Sequence, residues 1–348
     1  MRAPENRTDR NRQNVKILEE VRNAKTIGIA GHVNPDGDAV GSAVGLGLFL
    51  RKALPGVRVD VFAEEFQESL RRYMPDADRI HYDTRTGVER YDVFIAVDTA
   101  DDRLGDMRPL FRDAVKTINI DHHESNPGCA MQNYIFPAAS SSCELVYDLI
   151  MAETLENGES AETLLDESIA RALYIGIVTD TGVFRFSNTS EHTMQVGGHL
   201  LPYLKEVEPV KLIDGIFYQK SYIQHQILGR ALLESMMLRD GSCIVSVIDR
   251  RTMAFYHATS RDMDGVVGQL MLTRGVNVAI FLYETAPLIY KVSLRSDGSV
   301  NVASIASFYG GGGHERAAGC TINAPYHDII NNISDSIDIQ LQRAHGGK

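Results

Sequence analysis

Short apolar runs alternate with helical segments through the first part of this sequence, and that alternation limits the fold more than any other feature. Lys25–Ala30 (KTIGIA), Arg58–Ala63 (RVDVFA), Tyr91–Val97 (YDVFIAV) and Val115–Ile120 (VKTINI) have strand length and little polar interruption. Strands that are apolar on both sides and separated by helices belong to a parallel sheet covered on both faces. Ala39–Leu54 has helical length and ends at Pro55-Gly56, a stop signal. Asp166–Thr179 reads as a helix capped by Asp166, with Ile169, Leu173 and Ile177 on one stripe.

The pattern changes further along. From Ser190 to about Leu238 it is helical, starting at Ser190, Glu191 and Thr193, and Gln219–Leu238 holds no breaker except Gly229. Asp240-Gly241 then reads as a hairpin turn before a strand at Cys243–Ile248. Asn277–Tyr283 and Leu288–Leu294 read as further strands, with a second turn at Asp297-Gly298. The expectation is an α/β protein in three parts: a parallel-sheet domain over 1–195, a helical linker over 196–238, and a smaller mixed-sheet α/β domain over 239–348, with a cleft between the two domains.

The ends of the predicted strands carry the chemistry. His32-Val-Asn-Pro-Asp36-Gly-Asp38 follows the first strand, Asp98-Thr-Ala-Asp101 ends the third, and Asp121-His122-His123 ends the fourth. Open α/β sheets bind ligands at this carboxyl edge. Each segment alone has a plain reading as a turn or a polar loop. Thr179-Asp180-Thr181-Gly182 alone reads as a helix end with a glycine stop. Packed together, Asp36, Asp38, Asp98 and Asp180 would repel strongly, and two divalent cations match their four charges. A mixture of carboxylates and imidazoles suits Mn²⁺ or a related transition metal better than Ca²⁺, which prefers oxygen alone.

Charge and composition exclude several alternatives. The net charge of -11 gives no basic stripe for a long nucleic-acid groove. No apolar run reaches the roughly 18 residues of a membrane span. Met1–Lys16 is polar, without a signal-peptide core, and the four cysteines are scattered, so a cytoplasmic protein with reduced thiols is expected.

HVNPDGDAVGS, VDTAD, DHHESN, GIVTDTGVFRFSN and GGGGHERAAG, read in chain order, resemble the motifs of the DHH phosphoesterase family and of its associated C-terminal domain. They span Gly31 to Gly319. The size is similar to the short oligoribonuclease and pAp-phosphatase branch. The single-strand exonucleases of the family are larger, and its pyrophosphatases lack the glycine-rich segment. The resemblance implies that His32, Asp36 and Asp98 hold one metal ion. It gives Asp38, Asp98, His122 and Asp180 to the other, with Asp98 shared. His123 would then stand beside the scissile phosphate, and Asp121 would orient a ligating histidine.

The resemblance also implies that the second domain selects the substrate. Gly311, Gly312 and Gly313, followed by His314, offer backbone N–H groups to an anion, and Arg295 can grip a phosphate with two donors. Arg103 is a further candidate on the first domain. The expected substrates are short RNA oligonucleotides, pAp or dinucleotides, and the expected assembly is a homodimer joined through Ala39–Leu54 or the region near Gln219–Leu238. A cyclic-dinucleotide phosphodiesterase, a nucleotide-binding regulator without turnover and a long-strand exonuclease are the alternative readings.

Overall fold

The computed structural model describes residues 16–346 and divides into two compact units, which meet in sequence between Gln219 and Lys220. The expectation for the N-terminal segment falls almost wholly on residues 1–15, outside the described residues.

The first unit contains a five-stranded sheet. Its strands are β1 (Thr26–Ala30), β2 (Arg58–Phe62), β3 (Val93–Val97), β4 (Lys116–Asp121) and β5 (Gln132–Ile135). They run in the order β2-β1-β3-β4-β5 and every pair is parallel. The four anticipated strands are all present. The edge strand β5 carries no continuous apolar run, and its residues are exposed or half-buried, so only its pairing with β4 defines it.

Helices cover both faces. On one side lie α1 (Gly37–Ala53), α2 (Ser142–Ala152) and α3 (Glu167–Asp180), which share a core with Ile27, Ile29, Ile95, Ile118 and Ile120. On the other, Phe62, Tyr91, Phe94 and Phe111 form a smaller aromatic core. The Asp166 side chain caps α3 by accepting from Ile169 N at 3.1 Å. Helices α1 and α3 approach so closely that a Cβ on Gly41 would lie 2.5 Å from the Ala172 carbonyl oxygen. Helix α1 is buried along nearly its whole length. That corrects the expectation that Ala39–Leu54 joins two copies, since its apolar face is spent on the unit's own core.

The segment expected to be a linker over 196–238 divides between the units. Helix α4 (Glu191–Leu200) opens at the anticipated Ser190, which forms a capping box with Thr193, and Val196, Leu200 and Leu212 belong to the first core. Helix α5 (Tyr222–Leu233) packs Ile227 and Ala231 into the second unit. The chain then forms β6 (Met236–Leu238) rather than more helix, because these residues pair with β7 (Cys243–Ile248) across the turn at Asp240-Gly241.

Next come α6 (Arg250–Phe255), α7 (Val266–Met271), β8 (Val278–Ala286), β9 (Ile289–Ser296), α8 (Val302–Phe308), β10 (Gly312–His314), β11 (Ala317–Asn323) and α9 (Tyr326–Gly346). The six strands run β10-β11-β9-β8-β7-β6, with β7 and β8 parallel and the other pairs antiparallel. Helices α8 and α9 cover one face of this mixed sheet, and α5 and α7 pack on the other. The hairpin between β8 and β9 turns at Pro287-Leu288, and Asp297-Gly298 bends the chain after β9. Among the described residues no helix is long and apolar enough to cross a membrane.

Candidate functional site

Three adjacent strands of the first sheet deliver side chains to one edge. The loop after β1 carries His32 and Asp36, and Asp38 lies in the first turn of α1. Asp98 follows β3 directly, and β4 ends in Asp121, leading to His122 and His123. Asp180 arrives from elsewhere, as the last residue of α3.

Two donor sets result. His32 Nε2 lies 3.6 Å from Asp98 Oδ2 and 3.9 Å from Asp36 Oδ1. His122 Nε2 lies 3.4 Å from Asp98 Oδ1, 3.5 Å from Asp180 Oδ2 and 3.9 Å from Asp38 Oδ2. Asp98 therefore turns one oxygen to each set. Donor atoms at such separations can share one cation about 2 Å from each.

The chemistry of the two sets fits metal ions. His122 Nε2 is buried without a hydrogen-bond partner, while the other ring nitrogen faces the Ala139 carbonyl at 3.4 Å. His32 directs Nδ1 to the Val33 carbonyl at 2.8 Å, which leaves Nε2 as the inward lone pair. A metal-ligating histidine characteristically donates its second nitrogen in this way. Burial, then the charge of Asp38, pushes the Asp98 carboxyl well above the usual range. The same two causes raise Asp180 to about 7. Burial alone would lower His122, but the adjacent Asp98 carboxylate and the charges of Asp38 and Asp180 raise it to about 10. Carboxylates buried against one another at this density hold either protons or cations.

The backbone is strained where it presents these groups. Asp98 sits at φ 58, Asn34 at φ 52, and Val183 and Phe184 just past Asp180 at φ 60 and φ 61. A β-branched residue such as Val183 rarely adopts this region, and such strain gathers at functional sites.

Asp121 takes a different part from the one anticipated. Its Oδ1 accepts from His123 Nδ1 at 2.7 Å, and His122 gives it only a backbone N–H. It orients His123 rather than the histidine of the donor set. Asn126 ties Asp121 to Asn119 with bonds of 2.5 and 2.9 Å. Asp101 of the same β3 motif points away, paired with Arg108 and Arg112. Arg103 has an exposed side chain, but its carbonyl accepts from Val33 N at 2.8 Å and so braces the His32 loop.

The largest contribution the sequence did not disclose comes from α2. Ser142 N and Cys143 N donate to the two Asp38 oxygens at 2.7 and 2.9 Å, and Ser142 Oγ donates to Asp98 Oδ1 at 3.0 Å. The available signal was Ser141-Ser-Cys-Glu144, which matches the Ser-x-x-Glu pattern of a helix start.

The second unit holds a cavity of about 570 Å³ on the α7 side of its sheet, lined by Lys291, Ser293, Arg295, Tyr309 and Gly311 among others. Alternation along β9 buries Tyr290, Val292 and Leu294 on one face and turns Lys291, Ser293 and Arg295 to the other. Arg295 is half-buried, and the one hydrogen bond of its guanidinium among the described residues goes to the Leu294 carbonyl, at 3.0 Å. Burial lowers its pKa. Gly311 packs against β11, where a Cβ would lie 2.2 Å from the Gly319 carbonyl oxygen. Gly312, Gly313 and His314 form the exposed edge strand β10, outside the cavity lining. The structure thus brings Arg295 and Gly311 together and places the other three apart.

Residues 26–177 match the N-terminal domain of the DHH family, and residues 240–342 match the DHHA1 domain. The bifunctional oligoribonuclease and PAP phosphatase NrnA of Bacillus subtilis is 30% identical over 308 residues, spanning 88% of this chain and 92% of that protein. The protein of the same name from Thermus thermophilus is 31% identical over 336 residues, spanning 95% of this chain and 96% of that protein.

The chain belongs to the DHH family.

A DHH phosphoesterase is a metal-dependent hydrolase, which agrees with the two donor sets. The fold is also that of a solved exopolyphosphatase-related protein from Bacteroides fragilis, at 23% identity and a TM-score of 0.81, covering 92% of this chain and 94% of that one.

Proposed function

We propose that this DHH phosphoesterase hydrolyses short oligoribonucleotides to nucleoside 5′-monophosphates, and pAp to AMP plus phosphate. The observation that carries this reading is the sharing of Asp98 between two donor sets, in each of which a histidine Nε2 lies 3.4–3.9 Å from the carboxylate oxygens, with His123 beside them. The relatives named for these activities match nearly the whole chain.

His32, Asp36 and Asp98 would hold one divalent ion, and Asp38, Asp98, His122 and Asp180 the other, with Mn²⁺ the expected metal. Bound there, such ions supply Lewis acidity toward the phosphoryl oxygens and acidify water. His123 does the remaining proton work. With Nδ1 donated to Asp121, its Nε2 can give a proton to the leaving oxygen as water adds to phosphorus and the ester P–O bond breaks. In the second unit, Arg295 offers its guanidinium to a terminal phosphate in a cavity sized for one nucleotide.

The test is a turnover panel with Mn²⁺, containing pAp, RNA of graded short lengths, a cyclic dinucleotide, pyrophosphate and long single-stranded DNA. Turnover of pAp and of the shortest RNAs is expected. Fast hydrolysis of pyrophosphate or of the cyclic dinucleotide alone overturns the proposal, as does tight binding of all of them without turnover.

A further inference from the structure

We infer that Ser142 is the positioning residue for the shared carboxylate Asp98, and that the start of α2 sets how the two metal ions couple. This rests on the two-metal reading above. Three consecutive serines lead into α2, all buried; the first two bond to Glu144 and the third does not. Ser140 Oγ donates to the buried Glu144 carboxylate at 2.6 Å. Ser141 Oγ caps the helix by accepting from Glu144 N at 3.0 Å. Because Ser141 supplies the cap, the Ser142 hydroxyl is released from helix duty and reaches Asp98 Oδ1 at 3.0 Å.

The consequence follows from carboxylate geometry. Asp98 must keep one oxygen toward His32 and the other toward His122 to serve both sets. Its main chain is fixed at φ 58 and by the bond from Asp98 N to the Ile120 carbonyl at 2.9 Å, so the free motion left is rotation of the side chain. A hydroxyl donating to Oδ1 blocks that rotation and leaves Oδ2 for the His32 set. Without it, both oxygens can turn to one ion and the bridge is lost. The same residue's N–H holds Asp38 Oδ2 at 2.7 Å, so Ser142 ties Asp98 to Asp38, whose other oxygen is held by Cys143 N at 2.9 Å. Helix N-termini supply free N–H donors for such a carboxylate.

The experiment titrates Mn²⁺ into the full chain and follows it by calorimetry and by the exchange-coupled EPR signal of a metal pair. Wild type should bind two ions with a coupled signal. Ser142→Ala should bind the second ion about 10–100-fold more weakly and lose most of the coupling, with an unchanged circular dichroism spectrum. Ser142→Cys, of similar size and a weaker donor, gives the same readout should the alanine variant fail to fold. Ser221→Ala removes the cap of α5 in the second unit and should lower the metal-free Tm while leaving Mn²⁺ affinity and coupling at wild-type values. Wild-type affinity and coupling in Ser142→Ala overturn the inference. Binding of a single ion by wild type overturns the two-metal reading instead.

Discussion

Asp121 grips His123 and not His122: its Oδ1 accepts the His123 Nδ1 hydrogen at 2.7 Å, while His122 turns its ring to the Ala139 carbonyl. Burial alone would raise the Asp121 carboxyl, but hydrogen bonds from His123 and Asn126 outweigh it and hold it below the usual range. Asp121 is thus an anion that accepts from His123 Nδ1 and fixes the orientation of that ring. Asp121→Asn keeps the size and removes the charge. It should lower kcat by about 10²–10⁴-fold with two Mn²⁺ ions still bound. His123→Ala should cost about as much, and the double variant little more, since the two act as one unit. Additive losses in the kinetics of the double variant would break this pairing.

Asp98 and Asp101 lie three residues apart in one motif, yet only Asp98 enters the site. Asp98→Ala should abolish turnover and reduce Mn²⁺ stoichiometry below two, whereas Asp101→Ala loses only its pairs with Arg108 and Arg112 and should keep both ions. Asp98→Asn tests the cost of the site. It removes a buried like-charge repulsion and places a residue that tolerates positive φ, so its Tm in chelator should exceed wild type. Calorimetry in EDTA reads this directly.

The sequence discloses a group when the group belongs to a local pattern. Asp36, Asp98 and His122 could be read because each follows an apolar strand, and parallel strands must end at one edge. The Asp166 cap and the helix start at Ser190 were legible for the same reason, being set by residues three apart. Ser142 and Asn126 were not, because their partners are chosen by tertiary packing. Ser142 meets Asp98 across 44 positions, and nothing in its own neighbourhood anticipates that. Strand β6 was missed because Met236–Leu238 has no breaker before it, and its state is decided by pairing with Cys243–Val245. The glycine run was read as one anion site; steric contact with β11 also accounts for Gly311 and for Gly313, which sits at φ 142.

Arg295 separates substrate capture from chemistry. It projects into the cavity of the second unit and forms no ion pair among the described residues, so its guanidinium is available to a ligand. A charge-assisted contact to phosphate is worth about 1.5–3 kcal/mol. Arg295→Ala should therefore raise KM for 5′-phosphorylated dinucleotides by about 10–100-fold and leave kcat within a few-fold. Arg295→Lys should recover only part, since one ammonium cannot make the paired contact. The same KM for substrates with and without the 5′ phosphate in wild type would remove this role.

Metal-free protein should be more stable at pH 5 than at pH 8. Asp180 is raised to about 7 by burial and by Asp38, against 3.8 for the free group. Between those values the folded state keeps a proton that the unfolded chain has released, so this stabilisation is complete below 3.8 and is lost as pH rises through about 7. His122 acts with the same sign at higher pH. Burial alone would lower it, but the adjacent Asp98 carboxylate and the charges of Asp38 and Asp180 raise it from 6.5 to about 10, so its contribution is full below 6.5 and declines toward 10. Mn²⁺ competes with both protons, so its affinity should increase with pH and binding should release protons. Melting curves in EDTA should therefore show Tm falling from pH 5 to pH 8, and saturating Mn²⁺ should flatten or reverse that slope. A metal-free Tm that climbs steadily over this range would mean that Asp180 and His122 do not hold these protons together in the folded protein.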